Sequence, residues 1–158
     1  MTSTQTLTVR PIDPSHLDAV RRAGEDGFGN ALAPFRASGA GEPLRCCLRF
    51  ARTDEQIALI SHAPFTEPSP WREVGPVYVH AAACDGHAEG SVPPELRRGP
   101  CVLRTYRQDG SMNYDHNTLV AEGEELEPVL ERLLGEDEVA TVHVRTVLPQ
   151  CFLYAVTR

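Results

Sequence analysis

The segment "VATVHVRTVLPQCFLYAVT", residues 139–157, constrains the fold more than any other stretch. Two β-rich runs flank the short turn "LPQ", which is the pattern of an antiparallel hairpin. Successive strand residues point to opposite faces, so His143 and Arg145 share a face with Val139 and Val147. The same construction recurs upstream. "PLRCCLRFA" and "QIALISHAP" are joined by the polar turn "RTDE", and "PCVLRTYRQDGSMNYD" carries strands on either side of Asp109-Gly110, a pair favoured in tight hairpin turns. "TLTVRPI" and "GPVYVHA" add two further strands.

Helical patterning is confined to two places. "DPSHLDAVRRAG" has Asp13 at its N-cap, Pro14 at the first helical position and Leu17 and Val20 on one face. "GEELEPVLERLLG" sets Leu126, Val129, Leu130, Leu133 and Leu134 in an apolar stripe, with Pro128 in the first turn and Gly135 placed to close the end. Strands in consecutive hairpins, with helices near both ends, predict an α+β fold. Its expected form is a mostly antiparallel sheet of about seven strands, on which an N-terminal helix and a helix in the C-terminal half pack. The length of 158 residues and a hydrophobic content of 41% suit a single domain spanning 1–158. Residues 28–43, rich in Gly, Ala and Pro, read as a long surface loop or a lid.

Charge and composition exclude several classes of function. A net charge of −7, from 22 acidic and 15 basic residues, comes without a Lys/Arg stripe, so nucleic acid is not an expected partner. The start "MTSTQTLTVR" has no apolar core and no run approaches the ~20 apolar residues of a membrane span, so a cytoplasmic protein without a membrane partner is expected. Five cysteines in largely apolar contexts, with no C-x-x-C pair, fit reduced thiols rather than a disulfide framework. No G-x-G-x-x-G, P-loop or G-x-S-x-G stretch is present, which removes the simple nucleotide and α/β-hydrolase assignments.

The chemistry-bearing residues gather around "GPVYVHAAACDGH", residues 75–87. Cys84 follows a strand and precedes a Gly-containing loop, the setting of a nucleophilic thiol, and His80 or His62 would be its base. A zinc site would need His80, Cys84 and His87, with His62 as a fourth donor from a neighbouring strand. No tight pair anchors that set, and neither a metal nor another cofactor is assigned. Cys46, Cys47, Cys101 and Cys151 read as sheet interior. Arg45, Arg104 and Arg145 lie inside apolar strand patterns, which is costly unless each finds a partner or lines a pocket.

Four stretches, "PLRCCL", "WREVGPVYVHAAAC", "VLRTYRQDG" and "VATVHVRTVLPQCFLYAV", resemble in this order the family called domain of unknown function 1203, over about residue 43 to the end. The resemblance implies a small bacterial protein of one domain and carries little information about activity. Gln150 stands where that family usually has Gly before the cysteine.

The residues themselves point to a cofactor-independent enzyme acting on a carboxylate-bearing metabolite. In it His80, Cys84 and Tyr78 carry the chemistry and Arg45, Arg104, His62, His143 and Arg145 hold the substrate. Isomerisation, condensation or cyclisation, and hydrolysis all fit. The alternative is a non-catalytic binding module or a homodimer that pairs exposed sheet surface; a small molecule is the expected partner of the first kind.

Overall fold

A computed structural model describes residues 6–88 and 90–158. The first five residues, part of the stretch read as lacking an apolar core, lie outside them. The chain separates into two compact units. One is formed by the chain up to Arg10 together with Ala88–Arg158, the other by Pro11–His87.

In the first of these, β1 (Thr8–Arg10), β7 (Cys101–Tyr106), β8 (Thr118–Val120), β9 (Thr141–Arg145) and β10 (Phe152–Thr157) make one antiparallel sheet in the order β1-β10-β9-β7-β8. The hairpin expected around "LPQ" is present, with Val142 opposite Val156 and a bulge between Phe152 and Tyr154. Helix α2 (Leu126–Leu134) packs on β9 and buries the whole predicted stripe. Gly135 closes it, donating its N–H to the Glu131 carbonyl.

The Asp109-Gly110 turn also forms, with the Asp109 carboxylate accepting from the Ser111 N–H and hydroxyl at 2.9 and 2.6 Å. The return strand, however, is not the adjacent "SMNYD". That stretch meets β7 at the bridge from Tyr106 to Met112 and at Asn113, whose N–H donates to the Thr105 carbonyl at 2.7 Å, and then winds into a 3-10 turn at Tyr114–His116. The segment that pairs with β7 is β8, Cys101 standing opposite Val120. Asn117 displaces the closer register: its side-chain oxygen takes the Thr105 N–H at 2.8 Å.

The other unit holds α1 (Pro14–Ala23) and a second sheet of β2 (Phe35–Arg36), β3 (Pro43–Leu44), β4 (Arg49–Phe50), β5 (Gln56–His62) and β6 (Gly75–His80), in the order β2-β5-β6-β3-β4. Helix α1 is capped as its sequence dictates. Asp13 accepts from the Ser15 N–H at 2.8 Å, Pro14 fills the first turn, and Gly24 ends the helix at φ 71°. Among the described residues the fold is therefore α+β with two α-helices and two five-stranded sheets, rather than the single sheet of about seven strands.

The hairpin expected between "PLRCCLRFA" and "QIALISHAP" is also replaced. The first stretch folds back on itself, pairing Leu44 with Arg49 around residues 45–48, and β5 pairs with β2 and β6 instead. Strand β6 lies between β5 and β3, and β3 runs parallel to it, Leu44 opposite Tyr78. Within 28–43, residues 35–36 are strand β2. The buried Asp26 organises the start of that segment, accepting from the backbone N–H groups of Phe28, Asn30 and Ser61 at 2.8–3.1 Å.

Candidate metal centre

The β3–β4 turn is the unexpected element, and it builds the site. Leu44 and Leu48 are both buried and pin its two ends, and the Leu48 N–H closes it onto the Leu44 carbonyl at 2.9 Å. Leu48 takes the left-handed conformation at φ 57°, so the turn closes without a glycine. The Arg45 N–H bonds to the Tyr78 carbonyl at 2.9 Å and ties the turn to β6. Cys46 and Cys47 are thereby delivered to His80 at the end of β6.

The His80 Nδ1 lies 3.5 Å from the Cys46 Sγ and 3.7 Å from the Cys47 Sγ, and the two sulfurs are 4.0 Å apart. Cys84 completes the group: donor atoms of Cys46, Cys47, His80 and Cys84 all lie within 4.8 Å of one another. Tetrahedral zinc, with bonds of about 2.3 Å to sulfur and about 2.05 Å to imidazole, needs its sulfurs about 3.8 Å apart and its sulfur and nitrogen donors about 3.6 Å apart. The three pairs among Cys46, Cys47 and His80, at 4.0, 3.5 and 3.7 Å, already lie close to those edges. A donor set of three thiolates and one imidazole suits zinc among the common cations, and the donors converge on one point, as a single ion requires.

A second ring of contacts holds these donors. The Glu55 Oε1 lies 3.3 Å from the His80 Nε2, and Arg49 grips Glu55 through two bonds of 2.6 and 2.9 Å. The Arg49 guanidinium keeps the Glu55 carboxyl well below the usual carboxylate range. The Nε2 also lies 3.4 Å from an Arg49 guanidinium nitrogen, and the closer contact, to an ionised carboxylate, is the one that favours a proton on Nε2 and an Nδ1 lone pair toward the thiols. Each sulfur also receives a backbone N–H: Cys46 from His80 at 3.3 Å, Cys47 from Arg49 and Cys84 from Gly86. Such dipoles favour thiolates. Cys46 and Cys47 share a hydrogen bond that raises the thiol of Cys46 and lowers that of Cys47, and burial raises Cys84.

A cleft of about 560 Å³ opens beside the cluster, lined by Cys47, Arg49, Glu55, Gln56, His80 and residues 82–86. Three of the four donors reach it; Cys46, buried, stands behind them. Cys84 is exposed, on a stretch without regular secondary structure.

Of the residues expected from sequence, His80 and Cys84 come together here. Tyr78 lies two ladder positions from His80, its ring 6.3 Å from that of Phe35, and does not line the cleft. His62 pairs with Gly75 while His80 pairs with Ile57, so the two histidines sit at opposite ends of the β5–β6 ladder. At ~3.4 Å per residue they are about 17 Å apart along the strands. His62 lies instead beside His16, their rings 5.9 Å apart, and burial with the nearby His16 and Arg45 lowers its imidazole to about 4. His87 is not among the clustered donors. Arg45 is buried in the unit of His80, its guanidinium donating to the Pro43 carbonyl.

Arg104, His143 and Arg145 belong to the other unit. Arg104 faces His143 across β7 and β9, the His143 ring packs 4.6 Å from Tyr106 and 5.1 Å from Phe152, and Arg145 donates to the Gln150 carbonyl at 2.8 Å. Cys46, Cys47, Glu55 and Arg49 were missed. The one signal for them was the adjacent cysteine pair, which a strand would send to opposite faces and a turn can bring to one point.

No curated protein and no solved structure matches the chain. A family model described as protein of unknown function, DUF1203, matches residues 41–158, which include every residue of the cluster and of its second ring. The resemblance carried by the four stretches is thus borne out: the chain belongs to the DUF1203 family.

Proposed function

We propose that this protein is a zinc-class metalloprotein that holds one cation on Cys46, Cys47, Cys84 and the Nδ1 of His80. The observation that carries this reading is the spacing of the donors, 3.5, 3.7 and 4.0 Å for the pairs among Cys46, Cys47 and His80. Free thiols have no need to adopt the edge lengths of a metal tetrahedron. The carboxylate behind the imidazole supports it further, being the usual partner of a metal-bound histidine.

The enzymatic and binding-module expectations meet at the same cleft. Its presence beside His80 and Cys84 favours a small-molecule ligand, and a metal-free form of the chemistry would use Cys47 or Cys84 as nucleophile with His80 as base. Elemental analysis of protein purified without a metal-affinity tag separates the two. One equivalent of zinc per chain, lost in both Cys46→Ser and His80→Ala, is the result expected. Metal-free wild-type protein that also fails to take up zinc would leave the cofactor-independent thiol chemistry in its place.

A further inference from the structure

Resting on the metal reading, we infer that Cys84 is a displaceable fourth ligand and that the cleft admits a small-molecule thiol to take its position on the cation. The four donors are not held alike. Cys46 and Cys47 sit on a turn closed by its own hydrogen bond and tied to β6, and His80 sits in the β5–β6 ladder with its carbonyl bonded to Arg21 at 3.0 Å. His80 therefore belongs to paired backbone, and Cys46 and Cys47 to a turn closed by a hydrogen bond between its flanking leucines. Cys84 belongs to neither: residues 83–88 carry no regular structure and the residue is exposed.

Position adds to this difference. Cys46 closes the buried side, while Cys47, His80 and Cys84 border about 560 Å³ of open cleft. A cation bound to all four would have its accessible side along the edge formed by Cys84. Two thiolates and one histidine held rigidly, with a fourth position open to exchange, is the composition of a reactive zinc site, whereas a structural site closes all four.

The class of ligand follows from exchange like for like. The entering R–SH forms a bond from its sulfur to the cation as the bond to Cys84 breaks, and its proton passes to the departing Cys84 sulfur. The total charge is unchanged and nothing is oxidised or reduced. The cleft is large enough for a drug-sized molecule, and its walls offer Gln56, Asp85 and the Arg49–Glu55 pair to the polar remainder of the thiol.

Cobalt-loaded protein provides the test, because its absorption bands report the number and identity of the ligands. Titration with thiophenol, an aryl thiol whose thiolate-to-cobalt band differs from that of a cysteine, with phenol as the control, is expected to shift the wild-type bands saturably while three sulfurs remain on the metal. Cys84→Ala, in which no internal thiol competes, is expected to bind the probe about tenfold more tightly and to reach the same final spectrum. Cys84→Ser repeats the measurement with a side chain closer in size. Wild-type bands that stay fixed while Cys84→Ala takes up the probe would overturn the exchange and leave a closed four-ligand metal site. Failure of wild-type protein to give any thiolate-to-cobalt band would overturn the metal reading itself, and the exchange with it.

Discussion

His80 divides its ring between two tasks, one nitrogen toward the thiols and the other toward Glu55 at 3.3 Å. The ionised carboxylate favours a proton on the nitrogen beside it, so on the proposed metal reading Glu55 would act on a cation through His80. Glu55→Gln is expected to weaken zinc binding by about 10–100-fold in competition with a chelator, while the far-ultraviolet circular dichroism stays unchanged. Unaltered affinity would remove Glu55 from the site.

Asp26 carries the load in the preceding segment, as its burial leaves three backbone N–H groups with one carboxylate. Asp26→Ala is expected to cost roughly 3 kcal/mol in denaturant unfolding, since those donors lose their acceptor. In the folded protein hydrogen bonds outweigh burial and lower the Asp26 carboxyl from 3.8 to about 2. The sign follows: its contribution is complete above the unfolded value and fades as pH falls from about 4 toward 2. Acid titration of wild-type protein against Asp26→Asn is expected to show that loss in the wild type alone.

At the level of elements, the β3–β4 turn is what brings two cysteines side by side at His80, as the proposed metal site requires. A Gly-Ser insertion between Cys46 and Cys47 is expected to abolish zinc binding. The same insertion between Thr66 and Glu67, in the loop between β5 and β6, should leave affinity within about threefold, because surface loops absorb added length. Equal loss in both variants would show that the turn has no special role.

The turn also marks where the sequence stops being legible. Both helices, the N-cap of α1 and the last hairpin follow from periodicity and local chemistry, which is why Asp13, Pro14 and the Leu126 to Leu134 stripe stand where they are expected. "LRCCLRF" contains no Gly, Pro, Asn or Asp, and its residues all suit a strand. Its reversal depends on Leu44 and Leu48 being buried and on Leu48 accepting a left-handed backbone, both consequences of tertiary packing. His80 and Cys84 were visible because strand end and loop adjoin in sequence, whereas Cys46, Cys47 and Glu55 join them only through the order β5-β6-β3-β4.

On the scale of the whole molecule, the hairpins were legible but their division into two sheets was not. Local patterns specify strand, turn and strand; they do not specify which sheet each hairpin joins. Every donor and every cleft residue lies within Pro11–His87. A cation bound there stabilises the folded state of that unit, by about 4 kcal/mol when free zinc is a thousandfold above its dissociation constant. Hydrogen exchange with and without zinc is therefore expected to show increased protection in residues 43–50 and 75–84. Strands β7, β9 and β10 should change little. Protection rising equally in both units would contradict a site confined to one. No helix among the described residues is long and apolar enough to cross a membrane, in agreement with the absence of such a run in the sequence.

Zinc K-edge X-ray absorption on the zinc-loaded protein tests the central claim most directly, because it reads the donors themselves. Three sulfurs at about 2.3 Å and one nitrogen at about 2.05 Å are the shell that Cys46, Cys47, Cys84 and His80 would supply, with one sulfur fewer in Cys46→Ser. A shell of oxygen and nitrogen alone, unchanged by that substitution, would contradict a metal centre at this place.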